Sequence, residues 1–172
     1  MEDALPGVPA ENDLYNLLAP HLLPYAPSAW HELVPVAHWL VRATSPRIFV
    51  ELGSHAGVSF SAFCEAMRRQ HVGGKAFAVD TWRGDEHSGR YGDSVYDEVY
   101  EFVSSHFGDF AQLMRTTFDE ACESFSKGSI DLLHIDGFHT YDAVRHDFEQ
   151  WAPKMSEKGV VVLHDVNCRN PG

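Results

Sequence analysis

The sequence predicts a doubly wound α/β domain, a mainly parallel sheet with helices on both faces. Three observations predict it. Short apolar runs alternate with segments of helical period from residue 28 to residue 163. A glycine-bearing turn, Glu51-Leu-Gly-Ser-His-Ala-Gly57, joins the first of those runs to the helix after it. Polar residues gather just behind several runs, at the carboxyl ends of strands where ligands bind in open α/β sheets. With 172 residues the chain has room for one core. We divide it into a lead-in, 1–27, and one domain, 28–172.

A short helix is expected over 11–19, before Pro20 and Pro24. Ser28 is placed to cap a helix over 29–43, whose Trp30, Leu33, Val34, Ala37, Leu40 and Val41 recur at three and four residues. Pro35 lies inside that pattern and predicts a kink or an early end. Residues 47–52 read as a buried strand, and 58–71 as a helix with Phe60, Phe63, Cys64 and Met67 on one face. A second strand covers 76–79, with a long polar loop after it from Thr81 to Gly92. The pattern over 93–107 predicts a helix with Val95, Val99, Phe102 and Val103 inward. A weak third strand (112–115) and a short helix (118–125) precede the fourth strand, 130–135. Thr140 caps a helix over 141–152, with Val144, Phe148 and Trp151 inward, and 159–163 is the fifth strand.

Composition narrows the function. The formal charge is −12, so phosphate backbones and anionic lipid are repelled and nucleic acid is a poor partner. No apolar run reaches the ~20 residues of a membrane span. Cys64, Cys122 and Cys168 form no C-x-x-C pair and are read as reduced thiols of a cytoplasmic protein.

Behind the first strand stand Glu51, Gly53, Ser54, His55 and Gly57, with Ser59 in the first turn of the next helix. Asp80, Thr81 and Trp82 stand behind the second strand; Asp136, Gly137 and His139 behind the fourth; His164, Asp165 and Asn167 behind the fifth. Gly53 and Gly57 allow a tight turn and a close ligand approach. The helix start behind the turn suits a carboxylate or phosphate. Asp80 stands where a carboxylate accepts both hydroxyls of a ribose. Trp82 suits either a ligand contact or a lid over the core. The turn has three residues between its glycines and no third glycine, which disfavours a dinucleotide. It suits a ligand with an amino-acid carboxylate and amine, whose positive charges Glu51 or Asp136 can meet.

These residues resemble a known family. Val50-Glu-Leu-Gly-Ser-His-Ala-Gly-Val-Ser59 is similar to motif I of class I methyltransferases, which are Rossmann-like. Val79 to Gly92, Asp131 to Tyr141, Asp147-Phe with Trp151, and Gly159 to Asp165 resemble the methyltransferase family 24 group. The resemblance implies S-adenosylmethionine bound by Glu51, Gly53, Ser54, Gly57, Ser59, Asp80, Thr81, Trp82 and Asp136. It also implies O-methylation of a sugar, glycan or small natural-product hydroxyl. In similar enzymes a divalent metal sits on an acid after the fourth strand and an acidic pair after the fifth. Here those positions are Asp136, His164 and Asp165, with Mg²⁺ the expected ion. The family's usual last two strands are missing after the fifth, which leaves a sheet edge suited to a homo-oligomer.

Methyl transfer from a sulfonium to an alcohol needs alignment and removal of the hydroxyl proton. His139 is the first choice as base, beside Asp136, with His164 second. Against this stand plainer roles: His139 as part of a helix cap, Asp165 on loop amides, His134 as a packed core residue. His87 either gates the acceptor or faces solvent, and the loop 83–92 is a candidate lid. Two competing functions are a non-catalytic cofactor-binding or assembly domain of a larger glycan-biosynthesis protein, and a nucleotide-dependent oxidoreductase.

Overall fold

Five strands form one sheet: β1 (Ile48–Leu52), β2 (Lys75–Asp80), β5 (Ala111–Arg115), β6 (Ile130–Ile135) and β7 (Met155–Leu163). They lie in the order β5-β2-β1-β6-β7 and every neighbouring pair is parallel. The loop after β2 contains a separate two-residue antiparallel ladder, β3 (Gly84–Asp85) with β4 (Gly89–Arg90). This computed structural model describes residues 21–85, 89–90 and 92–165. The helix expected over 11–19, the roles of His87 and Asn167, and the state of Cys168 fall outside the described residues. The order reverses between β1 and β6, so the connections leave in opposite directions and a crevice opens there.

The strands are apolar on both faces because helices cover both. On one face Phe49, Ala76, Ala78 and Leu132 meet α1 (Trp30–Thr44), α2 (Val58–Arg69) and α3 (Asp93–Phe107). On the other, Val50, Leu52, Val79 and Leu133 meet α4 (Phe118–Cys122) and Trp151 of α5 (Tyr141–Trp151). Leu22, Leu23 and Ala26 of the lead-in pack on the first core. Leu22 N–H donates to buried Glu65 Oε2 at 2.7 Å, so this segment is tied down before α1 begins.

Four expectations are corrected. α1 runs through Pro35 to Thr44 without ending early. Pro35 is exposed in the second turn, where solvent reaches the carbonyl it leaves unpaired. α2 is buried from Val58 to Met67, not on one face only, because it lies between α1 and the sheet. In α5 the inward positions are Asp147 and Trp151, while Phe148 is 44% exposed. The fifth strand starts at Met155, four residues early, with a register shift opposite Ile130 and Leu132.

Candidate active site

The sheet ladders continue one residue past the strands and set the level of the site. Gly53 N–H donates to Val79 O at 2.9 Å, Asp136 N–H to Leu52 O at 2.8 Å, and His164 N–H to Ile135 O at 3.1 Å. Three loops therefore leave the sheet side by side. Gly53, at φ +85°, lies so close to the next loop that a Cβ would stand 2.3 Å from the Asp136 carbonyl oxygen. No side chain fits there, which explains the first glycine of the turn.

Above these ends lies a cleft of about 700 Å³. Of the residues singled out behind the strands, it is lined by Gly53, Ser54, His55, Ser59, Asp80, Thr81, Asp136, Gly137, His139, His164 and Asp165. Gly57 is not in the wall. It is the left-handed entry residue of α2, at φ +73°, packed over Val99.

Two expected ligand contacts point elsewhere. Glu51 is fully buried below the turn, where Oε1 accepts the Ser54 hydroxyl at 2.6 Å and Oε2 faces His134 Nδ1 at 2.8 Å. Trp82 is fully buried in the core. Its indole Nε1 donates to His55 O at 2.8 Å and its ring meets Tyr96 edge-on at 5.1 Å. Its local bend is set by Asp80, whose Oδ1 accepts Trp82 N–H at 2.7 Å. The other Asp80 oxygen accepts Ser54 N–H at 3.0 Å and His55 N–H at 2.9 Å. Asp80 thus clamps the first turn to the second while facing the cleft. His55, Trp82 and, across the cleft, Asp165 are all held at positive φ.

At the β6–β7 end two carboxylates and two imidazoles converge. His139 Nε2 lies 3.3 Å from Asp136 Oδ1, and its Nδ1 lies 3.6 Å from Asp165 Oδ2. His164 Nδ1 lies 3.1 Å from Asp136 Oδ1 and 3.2 Å from Asp165 Oδ1. The helix cap behind them is Thr140, whose Oγ1 accepts Ala143 N–H at 3.3 Å. His139 is therefore not needed as the cap and stands at the mouth, partly exposed. Such a group can take a proton from a hydroxyl or hold a cation. Among the described residues, the ligand atoms of Asp136, His139 and Asp165 all fall within 4.8 Å of one another. Two carboxylates fit Mg²⁺, whereas an imidazole fits a transition ion better. Behind this loop, burial pushes the Asp147 carboxyl up to about 6.

Sequence reasoning does not single out the lead-in wall, Pro27 to Ala29, or Trp30 as a cleft residue. It also misses Thr117 and Phe118, which lie just beyond β5 and complete the wall. The same carboxyl-end rule, applied to the third strand in sequence, finds that pair.

The family described as a methyltransferase domain, family 24, matches residues 50–166. The uncharacterized protein y4gI of Sinorhizobium fredii (strain NBRC 101917 / NGR234) is 45% identical over 145 residues, 84% of this chain and 16% of that protein. The fold is similar to that of SAH-bound PaMTH1 of Podospora anserina (TM-score 0.62, 15% identity, 81% of this chain and 53% of that one). It is also similar to the O-methyltransferase of Bacillus cereus in complex with SAH (0.58, 15%, 88% and 61%). A third is TomG of Streptomyces achromogenes, an O-methyltransferase involved in tomaymycin synthesis and solved with SAM (0.60, 13%, 84% and 63%). The chain thus spans about a sixth of the curated relative's length and between half and two thirds of these structures.

Proposed function

This chain belongs to the methyltransferase-domain family, and on that premise we propose that its cleft binds S-adenosylmethionine and serves methyl transfer to a hydroxyl. The observation behind the reading is the juxtaposition of the bend at 53–54 with Asp80 on one side and Asp136 on the other, all lining one cleft. S-adenosylmethionine supplies a methyl group activated on a sulfonium. The residues do the rest. The turn and the start of α2 receive the amino-acid end. Asp80 offers carboxylate oxygens to the ribose, with Thr81, Thr117 and Phe118 beside the base. The three similar structures solved with SAM or SAH support this choice of ligand.

In this reading His139 accepts the hydroxyl proton on one ring nitrogen while the other donates to the carboxylate beside it, Asp136 at 3.3 Å or Asp165 at 3.6 Å. Asp136, His139 and Asp165, with His164 against them, are the residues that would hold a divalent cation, which lowers the pKa of a bound hydroxyl. The acceptor we propose is a sugar or glycan hydroxyl, or that of a small natural product. The acidic chain disfavours polyanions.

Calorimetric titration with S-adenosylmethionine and with NAD tests the cofactor; binding of NAD alone sinks the reading. Transfer of labelled methyl to a panel of hydroxylated acceptors, with Mg²⁺ and with chelator, tests the reaction. His139→Ala should keep cofactor affinity and lose turnover by about 100-fold or more; unchanged turnover removes it as the base. Binding by the parent without transfer to any acceptor points instead to a cofactor-binding assembly module.

A further inference from the structure

Glu51 and His134 face each other across the paired strands β1 and β6, in direct register. Both side chains are fully buried, on the sheet face covered by α1 and α2. A carboxylate in such a place needs donors, since water cannot supply them. Glu51 has two: His134 Nδ1 at 2.8 Å and the Ser54 hydroxyl at 2.6 Å. Ser54 in turn lends its backbone N–H to Asp80. The series His134–Glu51–Ser54–Asp80 thus crosses from β6 through β1 to β2 beneath the bend that faces the cleft. The imidazole also touches the opposite end of the site. Its ring meets Trp30 edge-on at 4.9 Å and His164 at 6.1 Å, and both residues line the cleft.

We propose that His134 is a positioning residue for the cofactor turn. Its Nδ1–H fixes one oxygen of Glu51 so that the other is aimed at Ser54, and Ser54 then presents the bend to the ligand. A histidine that only filled the core would be replaceable by any ring of similar size. A histidine that orients Glu51 is replaceable only by a donor in the Nδ1 position, which the amide of asparagine supplies. The inference rests on the cofactor reading above.

The test is titration of the full chain with S-adenosylmethionine, with thermal unfolding recorded for each variant. His134→Asn should bind within about threefold of the parent. His134→Phe should bind about tenfold more weakly or worse, the loss expected when a charge-assisted hydrogen bond to a buried carboxylate goes. In turnover the cofactor KM should rise more than kcat falls. Equal binding by the parent and His134→Phe, or equal weakening by Phe and Asn, overturns the inference while the cofactor reading stands. If the parent binds no S-adenosylmethionine, both fall. Should His134→Phe fail to fold, Ser54→Ala breaks the same series from the loop side. It must then weaken binding at least fivefold, and parent-like affinity overturns the inference.

Discussion

Gly53 shows how much one residue fixes. Its N–H belongs to the β2 ladder, its left-handed φ turns the chain, and its bare Cα lies against the Asp136 carbonyl. Gly53→Ala should cost about 1–3 kcal/mol from the backbone alone. The methyl must also displace the Asp136 loop, so cofactor affinity should fall in the protein that still folds. Chemical denaturation and titration measure the two effects; parent-like values in both would refute this role for Gly53. The need for glycine here was legible in sequence, from its spacing to Gly57 after an apolar run. Glu51 turns inward rather than toward the ligand, and Trp82 takes the core position that was one of its two readings. Sequence places both at the ends of strands but not the partners that turn them inward, His134 from a strand 83 residues on and Asp80 beneath the second loop.

At the scale of elements, most strands and the Thr140 cap were readable, whereas α1 has Ala29 and not Ser28 as its cap residue, and helix phase was less legible. Thr140 caps α5 as its sequence context indicates. Thr140→Ala should lower stability by about 1 kcal/mol. Because the cap adjoins His139, turnover should fall with little change in cofactor affinity. A stability loss below about 0.3 kcal/mol would mean the cap contributes nothing. In α5 Trp151 is inward as expected, but Asp147 and not Phe148 is buried with it. Its neighbours decide it: Asp147 lies near Gly137 and Phe118, while β7, at the sheet edge, leaves Phe148 uncovered. The nine-residue extent of β7 was also hidden, since Ser156 to Gly159 fall in the register irregularity between the pairs Ile130–Met155 and Leu132–Val160.

Across the whole molecule, two buried groups on opposite faces of the sheet set opposing pH responses. Burial, with the neighbouring His21 at 5.2 Å between rings, lowers the His38 imidazole from 6.5 to about 4. Glu65 and Arg69 also face it, in opposite senses. Its folded pKa lies below its unfolded one, so its contribution is present above pH 6.5 and is lost as pH falls toward 4. Asp147 is raised from 3.8 to about 6, chiefly by burial. Its contribution is present below pH 3.8 and is lost as pH rises through 6. Between about pH 4 and 6 the two slopes oppose. Asp147→Asn should remove the second, so the stability of the variant relative to the parent should rise from pH 4 to pH 7. Urea midpoints at several pH values check it; a difference independent of pH would exclude this role for Asp147.

His55 and Asp165 hold backbone angles that most side chains avoid, and both line the cleft where a ligand would enter. The mouth is thus bent during folding, before anything arrives. Its shape is charged to the stability of the domain rather than to the encounter. A glycine at either position would relieve the local tension, and the same relief would let the rim wander.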